Sequence, residues 1–192
     1  TEMNSILADL GVNVIGLDQF PEIKDIAETG TTLIENALIK ARTVHKITGL
    51  PSLADDTGLE VDALDGAPGV YSARFAGENP TFEDNVNKML TALGGIPDDK
   101  RTARFRTALA FVDSNSELCE EGVIEGKITE KPRGEDGFGY DPIFEPANKT
   151  KTFAEMANEE KNRISHRARA LEKMQKTLNA PNRPVLNHYW RN

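Results

Sequence analysis

Two adjacent carboxylates, a hydroxyl and a glycine follow one another as Asp55, Asp56, Thr57 and Gly58. They come after a short apolar run, a pattern that predicts a buried strand opening into a turn. Because successive strand residues point to opposite faces, both carboxylates can face one ligand only if the chain turns between them or just after them. We therefore expect one aspartate to serve a hydrolytic site and the other to hold the backbone. The alternative is that both end the strand and cap the turn that Gly58 completes.

An acidic segment precedes a lysine in the first part of the chain. Glu22, Asp25 and Glu28 come before Lys40. Carboxylate oxygens are ligands that Mg²⁺ prefers, and a lysine ammonium suits the phosphate that accompanies the ion. The pattern is compatible with a magnesium site, although the segment taken alone is more typical of a solvated acidic loop.

A glycine-rich segment and a basic helix face have residue types suited to a nucleotide. In Gly137-Phe138-Gly139-Tyr140-Asp141 the glycines let the backbone approach a ligand, an aromatic ring can stack, and the carboxylate can read a ring edge. Lys161 and Ser165 share a helical face, and Arg167 adds a fork of donors beside His166. An ordinary turn and an exposed basic face are the simpler alternatives. Together with the two acidic groups, these residues describe a magnesium-assisted site for a phosphorylated, ring-bearing small molecule.

The composition argues against several other classes of function. A net charge of -8 disfavours a general nucleic-acid binder, which needs dense Lys and Arg. The single cysteine, Cys119, permits neither an intramolecular disulfide nor a zinc-ligand cluster, and it fits a reducing cytoplasm. No apolar run approaches the roughly 20 residues that cross a bilayer, and the N-terminus has no leader pattern, so we expect a soluble, untargeted protein with no membrane partner. Phosphate-binding loops of the GxxxxGK type and Rossmann GxGxxG loops after a strand are absent.

The elements that must position the candidate residues follow from apolar spacing and capping patterns. With 192 residues, 38% of them hydrophobic, the chain can bury one sizeable core, and we expect a single domain of two lobes over residues 1–192. A helix is expected over residues 1–10, followed by a short strand through Val12, Val14 and Ile15. The later expected elements are a helix from Leu33 to about Gly49, a helix after Thr81, a hairpin of Thr102 to Val112 and Leu118 to Thr129, a polar loop over 131–142, and one helix from about Asn158 to Leu178.

The run from Ser52 to Gly77 closely resembles the central motif of the inosine/xanthosine triphosphate pyrophosphatase family. The family's other motifs match in the same order, at Glu28-Thr29-Gly30 with Glu35-Asn36-Ala37, then at Gly137 to Pro142, then at Glu160-Lys161 with Ile164 to Arg167. The resemblance covers nearly the whole chain. It implies an α/β, ITPase-like fold with a long mixed central sheet flanked by helices, forming two lobes with the substrate in a cleft between them.

The resemblance also implies an activity and a set of site residues. The enzyme would hydrolyse ITP, dITP and XTP to the monophosphate and pyrophosphate with Mg²⁺, as a cytoplasmic homodimer. Asp56 would be the general base and a metal ligand, Glu28 the second metal ligand, and Asp55 and Lys40 further residues of the catalytic site. The residues implied to bind the substrate are Thr57, Phe138, Gly139, Tyr140, Asp141, Lys161, His166 and Arg167.

One departure from the family concerns the start of the chain. The family begins with a strand and a Thr/Ser-x-Asn-x-x-Lys loop that binds the triphosphate, and this motif does not occur in the 192 residues. We expect a segment carrying it to precede Thr1, because a sheet lacking a central strand would leave backbone groups unpaired. A truncated protein would favour an inactive nucleotide-binding function. A related pyrophosphatase for other modified nucleotides, such as methylated pyrimidine triphosphates, is a further alternative.

Overall fold

A computed structural model describes residues 14–180 of the protein. The helix expected over residues 1–10 and the strand residue Val12 lie outside the described residues. Val14 and Ile15, expected in the same strand, instead lie in exposed irregular chain before a short 3₁₀ turn at Leu17–Gln19. The strand prediction is wrong for these two residues, because this segment joins no ladder of the described sheet and its apolar side chains are not covered.

Five strands form one sheet in the order β2-β1-β3-β4-β5. The β1–β2 and β4–β5 pairs are antiparallel, with Leu59 opposite Gly69 and Lys127 opposite Glu145. The predicted hairpin is confirmed as β3 and β4, and Asp113 closes its turn by accepting from the backbone N–H groups of Asn115 and Ser116. The strand bounds are Ser52–Val61 for β1, Pro68–Gly69 for β2, Thr102–Val112 for β3, Glu117–Ile128 for β4 and Phe144–Pro146 for β5.

Capping residues define the first two helices. Thr32 caps α1, Leu33–Thr48, in a capping box with Glu35, and Gly49 ends it in the left-handed conformation at φ 69°. Thr81 caps α2, Phe82–Ala92, in the same way. Both predicted helices are therefore confirmed. Among the described residues, no helix combines the length and apolar character that a membrane span requires.

The last predicted helix is interrupted. Ser165 adopts an extended conformation, with φ -62° and ψ 156°, and separates α3, Asn158–Ile164, from α4, His166–Leu178. The prediction of one helix over this span is wrong. The break separates Lys161 from Arg167, so the two basic residues have different surroundings.

The chain divides into two compact units, and each has its own apolar core. The first unit contains the described residues up to Asp56, Thr107–Gly122 and residues 167–180, and its core includes Leu109, Phe111, Leu171 and Met174. The second unit contains Thr57–Arg106 and Val123–His166, and its larger core is built around Leu59, Met89, Phe105, Phe144 and Phe153. Apolar residues of β3 therefore contribute to both cores.

Candidate active site

Two of the predicted metal ligands converge on one lysine in the first unit. Lys40 Nζ, on α1, lies 2.7 Å from Glu28 Oε1 and 3.0 Å from Asp56 Oδ1 on β1. The structure thus brings together Glu28, Lys40 and Asp56, three of the site residues that the resemblance implied. Glu22 and Asp25, the other members of the acidic segment, lie in exposed irregular chain.

A second residue of α1 reaches Asp56. Asn36 Nδ2 donates to Asp56 Oδ2 at 3.2 Å, while Asn36 Oδ1 accepts from the backbone N–H of Gly30 at 2.8 Å. Asn36 and Lys40 are spaced i and i+4, so they lie on the same helical face. That spacing could have identified Asn36, which did not appear among the site residues predicted from the sequence.

The aspartate pair lies inside β1 rather than at its end. The strand continues through Asp55 and Asp56 to Val61, so the predicted turn at this pair is wrong. Asp55 Oδ2 accepts from Arg167 Nε at 3.0 Å, whereas Asp56 meets α1. The two carboxylates therefore serve different partners, as strand alternation requires, and Asp55 is held by a guanidinium rather than by a turn. Thr57, the next residue of β1, is partly buried.

The ionisation of Asp56 and Lys40 reflects two carboxylates sharing one ammonium. Burial raises the pKa of the Asp56 carboxyl above its ordinary value, and although hydrogen bonds from Lys40 and Asn36 oppose this, the charge of Glu28 adds to it. Burial by itself would lower the pKa of Lys40, but its contacts with Glu28 and Asp56 outweigh burial and leave the pKa raised. These opposing effects favour a protonated lysine shared between two carboxyl groups.

The donor set fits a magnesium ion that arrives with a nucleotide. Glu28 and Asp56 present hard carboxylate oxygens to one common cation, the ammonium of Lys40. Across residues 14–180, no group of three or more His, Cys, Asp or Glu side chains is arranged to hold a metal. Mg²⁺ is commonly held by one or two carboxylates together with substrate phosphates and water, rather than by a complete protein cage. Glu28 and Asp56 match that donor set.

In the second unit, the predicted glycine-rich segment is joined to α3 by an ion pair. Lys161 Nζ lies 2.6 Å from Asp141 Oδ2, and the same oxygen accepts from the backbone N–H of Phe138 at 2.8 Å. Asp141 is only 3% exposed. Gly137 has φ +86°, and a Cβ there would lie 2.3 Å from Asp141 Oδ2, so only glycine allows the loop to fold onto this carboxylate.

Two predicted substrate-binding side chains are largely inside the core. The Tyr140 hydroxyl donates to the backbone oxygen of Ser72 at 2.9 Å, and burial raises the pKa of this phenol. The His166 ring is buried and stacks on Phe105, with ring centroids 4.8 Å apart. The structure therefore gives these two rings packing roles and leaves Phe138 as the most exposed of the predicted substrate-binding side chains.

An exposed aromatic pair accompanies Lys161. The Phe138 ring is 50% exposed, and its neighbour Phe82, at the start of α2, is 61% exposed, with ring centroids 6.4 Å apart. Lys161 Nζ lies 4.7 Å from the centroid of Phe138. Phe82 was not among the site residues predicted from the sequence. The signal was an aromatic residue at the first position of a helix, outside the apolar stripe of Val86 and Met89.

A surface groove of about 530 Å³ in the second unit contains none of the predicted site residues. Lys127 pairs with Asp98 and Arg133 with Glu145 in its wall, so these cations are neutralised by carboxylates. Its mixed lining offers no excess charge to a phosphorylated ligand. The lining consists of Asp98, Lys127, Thr129, Glu130, Lys131, Arg133 and Glu145.

Comparison with known proteins connects this geometry to a family. The family profile described as the Ham1 family matches residues 1–177. The chain belongs to the Ham1 family. A curated relative from Vibrio cholerae serotype O1, named dITP/XTP pyrophosphatase, is 48% identical over 180 residues, which cover 92% of this chain and 90% of the relative. A Bacillus subtilis strain 168 protein of the same name is 49% identical over 180 residues, covering 93% of this chain and 91% of the relative.

A solved structure supports the same membership at the level of the fold. The structure of a Ham1 protein from Coxiella burnetii aligns with a TM-score of 0.85 at 46% sequence identity, covering 92% of this chain and 91% of that chain. The predicted α/β, ITPase-like fold is confirmed by this likeness. The resemblance drawn from the ordered motifs is confirmed as well, since the Ham1 relatives carry the name of the family that the motifs indicated.

Proposed function

We propose that the protein hydrolyses the non-standard purine nucleoside triphosphates ITP, dITP and XTP to the monophosphate and pyrophosphate. The observation that carries this proposal is the convergence of Glu28, Lys40 and Asp56, in a Ham1 family chain whose relatives are named dITP/XTP pyrophosphatase. A homodimer and a cytoplasmic location belong to the same proposal and rest on the family resemblance.

Asp56 acts as the general base in this proposal. The oxygen of a water molecule attacks the α-phosphorus, the bond from that phosphorus to the pyrophosphate oxygen breaks, and the water proton passes to the Asp56 carboxylate. Its raised pKa makes Asp56 a stronger base than an exposed aspartate. Lys40 turns from its carboxylate partners to a phosphate oxygen. Glu28 and Asp56 would hold Mg²⁺, which supplies charge neutralisation to the triphosphate.

Recognition of the base in this proposal rests on the aromatic rings of Phe138 and Phe82 and on the donors of Arg167. The exposed rings of Phe138 and Phe82 offer an apolar surface on which a purine can stack. Arg167 has only donors, which suit the six-oxo group of hypoxanthine and xanthine but not the amino group of adenine. Lys161 and Asp141 hold the Phe138 loop in place.

A substrate panel tests the function. We expect pyrophosphate release from ITP, dITP and XTP to exceed release from ATP by on the order of a hundredfold or more in kcat/KM, because unpaired buried donors penalise adenine. The release should stop when EDTA removes Mg²⁺. Faster hydrolysis of methylated pyrimidine triphosphates would favour the related pyrophosphatase, and binding of ITP without release would favour an inactive nucleotide-binding protein.

Two substitutions separate base choice from stacking. We expect Arg167→Ala to lower kcat/KM for ITP by on the order of ten- to a hundredfold more than for ATP, because the lost donors serve only a six-oxo base. Phe138→Ala should weaken both substrates alike, since a ring stacks on any purine. Arg163→Ala, which removes an exposed arginine of α3, is the matched control. Equal losses for ITP and ATP in Arg167→Ala would assign Arg167 to phosphate binding or to structure.

A further inference from the structure

Asn36 is a polar residue among the otherwise apolar buried residues of α1. The buried residues of α1 are Leu33, Asn36, Ala37 and Ala41, and Asn36 is 0% exposed. Burying an amide is unfavourable unless both of its ends find partners. Both ends of Asn36 do, because the oxygen accepts from Gly30 and the nitrogen donates to Asp56. A side chain whose two ends join separate segments can fix the distance between them.

The backbone of Gly30 determines which way the amide points. A backbone N–H can only donate, so the oxygen of Asn36 must face Gly30 and its NH₂ group must face Asp56. The approach is close, since a Cβ at Gly30 would lie 2.7 Å from Asn36 Oδ1. The Asn36 NH₂ group donates to Asp56 Oδ2, and the other end of the same amide is held by the Gly30 N–H. Gly30 lies two residues after Glu28, so Asn36 links Asp56 to the segment that carries Glu28.

Asn36 and Lys40 form two parallel bridges between the same segments. Lys40 joins Glu28 to Asp56 Oδ1, and Asn36 joins Gly30 to Asp56 Oδ2. Each carboxylate oxygen thus has its own donor. The two bridges differ in charge, since Lys40 carries an ammonium and Asn36 a neutral amide. An incoming phosphate therefore attracts Lys40 much more strongly than Asn36. The Asn36 bridge can remain when Lys40 changes partner.

We propose that Asn36 is a positioning residue that fixes the Asp56 carboxylate against the segment carrying Glu28 throughout the reaction. This inference rests on the proposed function. Because Asn36 still holds Oδ2 when Lys40 leaves Oδ1 and turns to phosphate, the orientation of the Asp56 carboxylate is kept. Asn36 does not contact the substrate in this account and acts only through Asp56.

The test compares Asn36→Ala with a matched variant, Asn85→Ala. Asn85 is also a buried helical asparagine, on α2, and it also joins two chain positions, accepting from the Ala76 N–H at 2.8 Å and donating to the Ala73 oxygen at 3.1 Å. Both variants lose two hydrogen bonds and a buried amide, so both should unfold at lower temperature. Only Asn36→Ala should lower kcat for ITP, by about 10- to 100-fold as for other residues that orient a functional group, with KM little changed.

A second readout does not depend on activity. The side-chain carboxyl ¹³C resonance of Asp56, assigned by its loss in Asp56→Asn and recorded at one fixed pH, should shift in Asn36→Ala and stay in place in Asn85→Ala. Asn36→Leu, with Asn85→Leu as its control, serves if the alanine variant does not fold, because leucine nearly matches the size of asparagine and removes the donor to Asp56 without adding a charge. An unmoved Asp56 resonance, or equal kcat losses in Asn36→Ala and Asn85→Ala, would overturn the proposal. A shifted resonance in a protein whose wild type hydrolyses no triphosphate would support the positioning contact and reject the proposed function.

Discussion

Asp56→Asn is expected to lower turnover on ITP by about two to four decades, the range for losing a general base that also binds a metal. The substitution nearly preserves shape, but it removes both the proton acceptor and the negative charge that would hold Mg²⁺. Lys40 keeps its contact with Glu28 in the variant, so the fold around α1 should persist. The measurement is kcat for ITP, and near-normal turnover would refute the assignment of Asp56 as base.

The stability of the same variant should fall relative to that of the wild type as the pH is lowered from neutrality. The pKa of Asp56 is raised in the folded protein above its value of 3.8 in the unfolded chain, so folding binds the proton more tightly. The stabilisation from this group is present below the unfolded pKa and is lost as pH rises through the folded one. Asn cannot titrate, so the variant lacks the stability that the wild type gains when Asp56 binds its proton. Thermal unfolding should show that the difference in melting temperature between the two proteins shifts in favour of the wild type between pH about 7 and pH about 4.

Asp55→Asn is the neighbouring control for this experiment. Asp55 pairs with Arg167 rather than with the lysine cluster, so its substitution should lower the melting temperature more than it lowers turnover. The opposite pattern, with stability kept and turnover lost, would place Asp55 in the chemistry. Together the two variants separate the roles of adjacent carboxylates on one strand.

Local features of the sequence were sufficient to predict where α1 and α2 begin and to predict the hairpin of β3 and β4. Thr32 and Thr81 satisfy the first N–H groups of their helices, and their partners lie only three residues away, so capping is readable from the chain. The break at Ser165 was not readable, because apolar residues continue at helical spacing on both sides of it and serine is tolerated within a helix. Where a helix breaks without a glycine or a proline, tertiary packing rather than local sequence decides the position of the break.

The geometry of the candidate site could be predicted only in part, because some of its contacts join residues that are far apart in the sequence. Family motifs supplied Glu28, Lys40 and Asp56, but the partner of Asp55 stands 112 residues away, and no local pattern joins it to Arg167. The continuation of β1 through two aspartates also defeats a local rule, since polar residues normally end a buried strand. The role of Asn36 depends on Gly30 lying against its amide, and the raised pKa of Asp56 depends on burial, neither of which is visible before folding.

The largest expected loss of stability comes from Lys161→Met. Asp141, only 3% exposed, would keep the Phe138 N–H as a donor but lose the ammonium that neutralises its charge. Removing one partner of a buried ion pair costs about 3–5 kcal/mol, whereas an exposed pair contributes about 0–1 kcal/mol. Methionine retains the length and apolar stem of lysine, so the loss reports the charge rather than a cavity. Urea unfolding at neutral pH measures the free energy of unfolding.

Lys149→Met provides the matched control, because Lys149 pairs with Glu160 at 2.8 Å and both side chains are exposed. Adding Asp141→Asn to Lys161→Met should recover part of the lost stability, since a neutral amide oxygen can still accept from Phe138 without an unpaired charge. The single variant should also raise KM for ITP, because the loop that presents Phe138 is held by this carboxylate. If Lys149→Met and Lys161→Met were equally mild, the Asp141 pair would be no more than a surface contact, and the loop would have to be held by the packing of Tyr140 against the core and its hydrogen bond to Ser72.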